Sequence, residues 1–235
     1  MYKSKKILAI IPARGGSKGI KHKNLKKIKN VSLVSHAISF AKKNKEIDKI
    51  IVSTDSNKIA LETKKNKVDF PFFRPKKISG DKVSAYDVLI HTLIKSEKFF
   101  NEKYDYIAML EPTSPLRTSR EFKDCLRKIL KFKYDAIWTV SKIDSKYHPL
   151  KQLVISDHLM KLYDSKGKRV VFRQALNETY IRNGAIYIFS RKCLIKYKNI
   201  YGKKLGCHIS KRKHISIDTP EDLNNVKKLF KKITL

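Results

Sequence analysis

The stretch Ile7–Asn24, ILAIIPARGGSKGIKHKN, carries residues whose types and spacing bind anions. A nearly continuous apolar run, Ile7 to Ile11, empties into Pro, Arg, two glycines, Ser and three lysines. Such a run reads as a strand buried on both faces. Gly15, Gly16 and Gly19 then form a loop whose backbone N–H groups can close around phosphate oxygens without Cβ obstruction. Arg14, Lys18, Lys21 and Lys23 supply the charge that a polyphosphate needs neutralised. A nucleotide is the ligand this chemistry suggests.

Two common phosphate loops are absent: G-x-x-x-x-G-K-[ST] does not occur, and G-x-G-x-x-G does not stand at this strand end. A glycine-rich turn alone is also compatible with a bare strand-to-helix connection. Further polar motifs at the ends of apolar runs favour the ligand: VSTD at Val52–Asp55, FRP at Phe73–Pro75, LEPTSPLR at Leu110–Arg117, and later RNGAIYIF and SIDTPED. The seven histidines show no H-E-x-x-H or Cys/His ligand spacing, and no G-x-S-x-G elbow is present. Cys125, Cys193 and Cys207 are odd in number and widely spaced, which suggests neither a disulfide frame nor a zinc site and points to reducing cytosol.

The elements that must position these residues alternate. Leu33, Val34, Ala37, Ile38 and Ala41 recur at helical spacing, Lys49–Thr54 reads as a buried strand, and a helix follows from Ser56. Tyr86, Leu89, Ile90, Leu93 and Ile94 make a helical stripe before a strand at Tyr104–Leu110. Thr118 and Glu121 fit a capping box, with Phe122, Cys125, Leu126, Ile129 and Leu130 as the apolar face, and Asp135–Val140 is the next strand. From about Ser141 to Arg182 the rhythm breaks into irregular pieces, a β-rich flap or an arm reaching a neighbouring subunit. Gly184–Phe189 resumes the strand pattern, Leu205–Ile209 and His214–Ile217 add two short strands, and Thr219–Phe230 closes as a helix capped by Thr219 with Pro220 at its first position. The expectation is one α/β domain over residues 1–235, a doubly wound and mostly parallel sheet that binds ligands beyond its carboxyl strand ends.

A formal net charge of +33 arises from 54 Lys and Arg against 21 Asp and Glu. The lysines are spread through almost every segment without aromatic-basic RNA motifs, so they read as solvated faces rather than a nucleic-acid surface. The N-terminal apolar run is too short for a signal-peptide core or a membrane span, so neither export nor membrane insertion is expected.

In this order and spacing, IPARGGSKGIKHKN, VSTD, RP followed by Asp81, EPTSPLR, RQAL, NGAIYI and IDTPEDL resemble the acylneuraminate cytidylyltransferases, the CMP-sialic acid synthetase family, over about Ile7–Phe230. The resemblance implies a nucleotide-diphospho-sugar transferase-like fold and transfer of CMP from CTP to the anomeric hydroxyl of a 2-keto sugar acid. Mg²⁺ assists, pyrophosphate leaves, and the product feeds surface glycan synthesis. It also implies a cytoplasmic homodimer whose arm, here about residues 141–182, completes the partner's site. By the same resemblance Arg14, Ser17, Lys18 and Lys23 meet the CTP phosphates, with Lys23 also at the α-phosphate. Ala13, Gly15, Asn24 and Arg74 lie near the nucleotide, and Asp81 near the base or its supporting loop. Glu111 and the turn from Thr113 and Ser114 to Arg117 face the sugar acid. Lys151, Arg173 and Tyr187 handle its carboxylate, with Arg173 coming from the other subunit.

Two positions depart from the family pattern. Glu111 stands where Gln is usual, and Ser216-Ile217-Asp218 replaces D-x-D, leaving Asp218 alone on that segment for the metal. Glu111 either supplies a replacement oxygen ligand or changes which sugar fits. Legionaminate, pseudaminate or a 3-deoxy-octulosonate-type acid are alternative acceptors, and a non-enzymatic RNA-binding protein is the remote alternative.

Overall fold

The computed structural model describes residues 1–170, 172 and 176–233. The first strand, β1 (Ile7–Pro12), is followed by the phosphate-type loop and by a small hairpin of β2 (Lys27–Ile28) and β3 (Val31–Ser32). Helix α1 (Leu33–Lys43), β4 (Lys49–Ser53), α2 (Asn57–Lys65) and α3 (Ala85–Phe100) come next. Then follow β5 (Tyr106–Met109), α4 (Ser119–Phe132) and β6 (Ala136–Lys142), the hairpin β7 (Leu153–Ser156) and β8 (Leu159–Leu162), and β9 (Tyr180–Ser190). Helix α5 (Arg191–Ile195), β10 (Leu205–Ile209) and α6 (Pro220–Ile233) complete the chain.

Among the described residues the main sheet has the order β10-β6-β9-β5-β1-β4. β1 pairs in parallel with β4 and β5, and β6 with β10, whereas β9 runs antiparallel to both its neighbours. Alternation along β1 divides the core. Ile7, Ala9 and Ile11 pack with Val34 and Ile38 of α1 and Phe122, Cys125 and Leu126 of α4, while Leu8 and Ile10 pack with Leu89 and Leu93 of α3 on the other face. This two-sided burial is why β1 is apolar at every position. A third cluster joins Ile20, Leu33, Leu116, Ile217, Leu223 and Val226, and so clamps the first loop, the EPTSPLR turn and α6 together.

The expected capping box at Thr118 and Glu121 is present in full, and Thr219 and Asp222 cap α6 reciprocally. Residues His214–Ile217, expected as a strand, form none; side chains and single backbone bonds hold them. β6 runs to Lys142 and β9 begins at Tyr180, so both ends of the expected insertion belong to sheet strands. Between them lie short 3₁₀ turns and the β7–β8 hairpin, whose Leu153, Ile155, Leu159 and Met160 are exposed.

Candidate active site

A cleft of about 630 Å³ opens at the carboxyl ends of β1 and β5. Its walls are the loop after β1 (Arg14, Ser17, Lys18, Gly19, Lys23, Asn24), the segment before α3 (Arg74, Asp81), the turn after β5 (Glu111, Thr113) and Asp218 ahead of α6. Asn24 is buried and donates from Nδ2 to the Arg14 carbonyl at 3.0 Å, which closes the loop on itself. A Cβ at Gly19 would stand 2.5 Å from the Asp218 carbonyl oxygen, so only glycine lets the α6 approach come this close.

Arg14, Lys18 and Lys23 are engaged with carboxylates inside the cleft. Asp81 accepts from Arg14 at 2.5 Å and from Lys18 at 2.8 Å, and these two hold its carboxyl below the usual range. Lys23 Nζ donates to Asp218 Oδ1 at 2.8 Å. Arg74 is 5% exposed, and its Nε and Nη2 have no hydrogen-bond acceptor among the described residues. Burial lowers its pKa, with the Asp55 charge opposing and Arg14 adding to the drop. A buried guanidinium with unspent donors is a demand for an acceptor group.

The half-buried Glu111 carboxyl is pushed up by desolvation first; Arg117 opposes this, Asp218 adds to it, and Arg182 and Lys23 oppose it. Its carbonyl accepts from Arg117 Nη2, while Arg117 Nε donates to the Ala185 carbonyl at 2.8 Å. Burial brings the Arg117 guanidinium down to about 10. Arg117 thus fastens the turn to β9 and does not face the cleft.

Of the residues expected at the site, Arg14, Ser17, Lys18, Lys23, Asn24, Arg74, Asp81, Glu111, Thr113 and Asp218 come together around one cleft. Others stand off it. Ala13 is fully buried, and the Gly15 N–H is committed to Asp55 Oδ1 at 2.7 Å. Ser114 is buried behind the turn, its hydroxyl 3.4 Å from the Asn183 carbonyl. Tyr187 is 7% exposed and edge-on to Trp138, with burial and then Glu111 raising its phenol to about 12. Lys151 is exposed in the arm and does not line the cleft, and Arg173 lies outside the described residues.

Sequence reasoning missed the start of α3, where Ser84, Ala85 and Val88 line the cleft and the helix presents its positive end. The Ser84-x-x-Asp87 spacing was the available signal, and Ser84 does accept from the Asp87 N–H at 3.1 Å. Among the described residues no three His, Cys, Asp or Glu side chains gather as a metal cluster. The Asp218 carboxylate facing the phosphate cradle nonetheless fits Mg²⁺, which takes one or two carboxylates and completes its shell with phosphate oxygens and waters.

An α/β sheet whose strand-end loop, helix N-terminus and cations converge on one cleft is built to take a polyphosphate ligand. The family model described as cytidylyltransferase matches residues 8–234, and the chain therefore belongs to the cytidylyltransferase family. It is 29% identical over 231 residues to a post-translational flagellin modification protein B of Campylobacter coli, covering 97% of each chain. It is also 29% identical over 203 residues to a CMP-N,N'-diacetyllegionaminic acid synthase of Campylobacter jejuni, covering 86% of this chain and 85% of that one. A solved CMP:2-keto-3-deoxy-manno-octonic acid synthetase complexed with CTP superposes with a TM-score of 0.72 at 16% identity, covering 97% of this chain and 99% of that chain, which establishes the shared fold. Among the described residues no helix is long and apolar enough to cross a membrane.

Proposed function

We propose that this cytidylyltransferase moves CMP from CTP to the anomeric hydroxyl of a nonulosonic acid, N-acylneuraminate or a close relative, and releases pyrophosphate. The observation that carries this reading is the convergence of Arg14, Lys18, Lys23 and the unspent Arg74 guanidinium on one strand-end cleft that also holds Glu111 and Thr113. Cations of this kind offset the charge that builds on the departing pyrophosphate, so positioning and electrostatics carry the reaction and no covalent nucleophile is required. Arg14, Ser17 and Lys18 would hold the β- and γ-phosphates and Lys23 the α-phosphate. Arg74 and Asn24 would lie toward the nucleoside, and Glu111 and Thr113 toward the sugar. Mg²⁺, when bound, supplies Lewis-acid polarisation of the phosphates, and Asp218 is the residue that would hold it. The similarity to a CMP-N,N'-diacetyllegionaminic acid synthase supports legionaminate as an acceptor to test alongside N-acylneuraminate.

The working unit in this reading is a homodimer in which the 141–182 arm, with Lys151 and Arg173, reaches the partner's cleft. The exposed apolar residues of β7 and β8 support it. Pyrophosphate release, measured with each of the four nucleoside triphosphates against a panel of sugar acids, tests the function. Turnover with CTP and a nonulosonic acid is expected. Turnover only with a sugar 1-phosphate, or none with any acid, rejects it.

A further inference from the structure

The pairing of β9 with β6 breaks at one place. Trp138 faces Tyr187, yet Val140 faces Arg182, so β9 bulges between these two pairs. Asn183 fills the bulge from inside: its Oδ1 accepts from Thr139 at 2.7 Å, and its Nδ2 donates to Ser141 at 3.1 Å and Ser210 at 3.0 Å. Gly184 takes φ +71, and a Cβ there would meet Ser114 Oγ at 2.7 Å and Glu111 Oε2 at 2.9 Å. The bulge thus does two things at once. It brings backbone against the Glu111 carboxylate, and it sets the Arg182 guanidinium over the Trp138 ring, 5.3 Å from its centroid.

Met109, Tyr187 and Trp138 are successive neighbours across β5, β9 and β6 on one sheet face. Met109 is in the wall of the cleft, so this row leads outward from the cleft and ends beneath Arg182. Arg14, Lys18 and Lys23 each have a carboxylate partner within the cleft. Arg182 is exposed, and among the described residues its side chain makes no ion pair or hydrogen bond, its backbone pairing with β6 opposite Val140. Its charge nevertheless reaches both Glu111 and Tyr187. A guanidinium stacked on an indole keeps its forked N–H edge available and pre-oriented, the geometry that takes a carboxylate through two parallel hydrogen bonds. An anionic acceptor placed beside Glu111 also needs a cation on that side of the cleft.

We infer that Arg182 is a specificity-determining residue that binds the carboxylate of the sugar acid within its own subunit, oriented by the Trp138 ring. This assignment rests on the proposed sugar-acid function. It extends the acceptor site along β9, to a residue held by the main sheet at the C-terminal end of the arm.

The test compares the best sugar acid of the panel with its methyl ester in the wild type, Arg182→Ala and Arg182→Lys, with CTP in every assay. Arg182→Ala is expected to raise KM for the acid about tenfold or more and to leave KM for CTP and for the ester unchanged. Arg182→Lys restores part of the loss, because an ammonium keeps the charge and lacks the fork. The acid-to-ester ratio is taken within each variant, so a general loss of folded protein cancels. An equal effect on acid and ester, or no effect on either, overturns the assignment. Full recovery of acid KM in Arg182→Ala/Glu111→Gln also overturns it, by showing that Arg182 only offsets Glu111. Failure of the wild type to turn over any sugar acid rejects the functional reading, and this assignment with it. Turnover by the wild type with an unaltered Arg182→Ala variant rejects Arg182 alone.

Discussion

Arg14, Lys18 and Lys23 of the nucleotide cleft are each held by a carboxylate that a triphosphate must replace or share. Asp81 takes both Arg14 and Lys18, and Asp218 takes Lys23, whose side chain is only 18% exposed. The second contact is the more telling, because Lys23 and Asp218 approach from opposite ends of the chain and meet where Gly19 leaves room. A lysine this constrained is pre-positioned, and its charge costs little reorganisation when negative charge develops on phosphate. Lys23→Ala is expected to lower kcat by a factor worth about 3 kcal/mol or more of transition-state stabilisation while the circular dichroism stays that of the wild type. A folded variant with near-wild-type kcat would remove Lys23 from the chemistry.

At the scale of elements, the segment from β10 to α6 decides where Asp218 sits. It has no strand pairing, and four anchors replace the ladder. The Ser210 N–H donates to the Val140 carbonyl at 2.8 Å, and His214 Nε2 meets Glu121 Oε1 at 2.9 Å with both side chains buried. The Ile217 N–H donates to the Thr113 carbonyl at 2.9 Å, and the Ile217 side chain enters the third core cluster. Glu121 also caps α4, so one carboxylate joins that helix to the segment carrying Asp218. Burial alone would raise its pKa, but His214, Ser210 and Thr118 together bring it from an ordinary 4.5 down to about 2. A depressed carboxyl stabilises the fold fully above its unfolded value, and the contribution is lost as pH falls from 4.5 towards about 2. Glu121→Gln is expected to be less stable at neutral pH by about 3 kcal/mol at most and to lose less of its remaining stability across that window. Urea titrations at a series of pH values check it, and parallel slopes for the two proteins would dismiss Glu121 as the titrating group.

For the whole molecule, the notable surface is the hairpin in the arm. Register places Leu153, Ile155 and Met160 on one face of the β7–β8 ribbon, and these are 52%, 73% and 65% exposed. A two-stranded ribbon is marginal by itself in water, and an apolar face of this kind is expected to be covered by another chain. The dimer proposed above supplies that cover. Mixing inactive Arg173→Ala subunits with inactive Lys23→Ala subunits is expected to restore part of the activity, since one cleft of each heterodimer then holds an intact Lys23 and an intact arm. Heterodimers verified by mass spectrometry that stay inactive would count against shared sites. The net charge of +33 places no comparable demand on a partner, because the lysines are distributed over nearly every segment.

Short-range physics made much of this protein legible in its sequence. The glycine-rich cation loop after an all-apolar strand, the Thr118–Glu121 box and the helical stripes are encoded within a few residues, and each appears where its pattern stands. The same local reading misassigned His214–Ile217, because the alternation in HISI is that of a strand while the side chains there are anchors to α4 and to the third core cluster. The family resemblance points Ser114 and Tyr187 towards the sugar acid, and packing buries both side chains. Which carboxylate meets which cation, the antiparallel course of β9 and its bulge under Arg182 were decided by tertiary structure alone. Those features depend on the register and separation of segments far apart in the chain, and strand register is a joint property of both partners that neither segment encodes by itself.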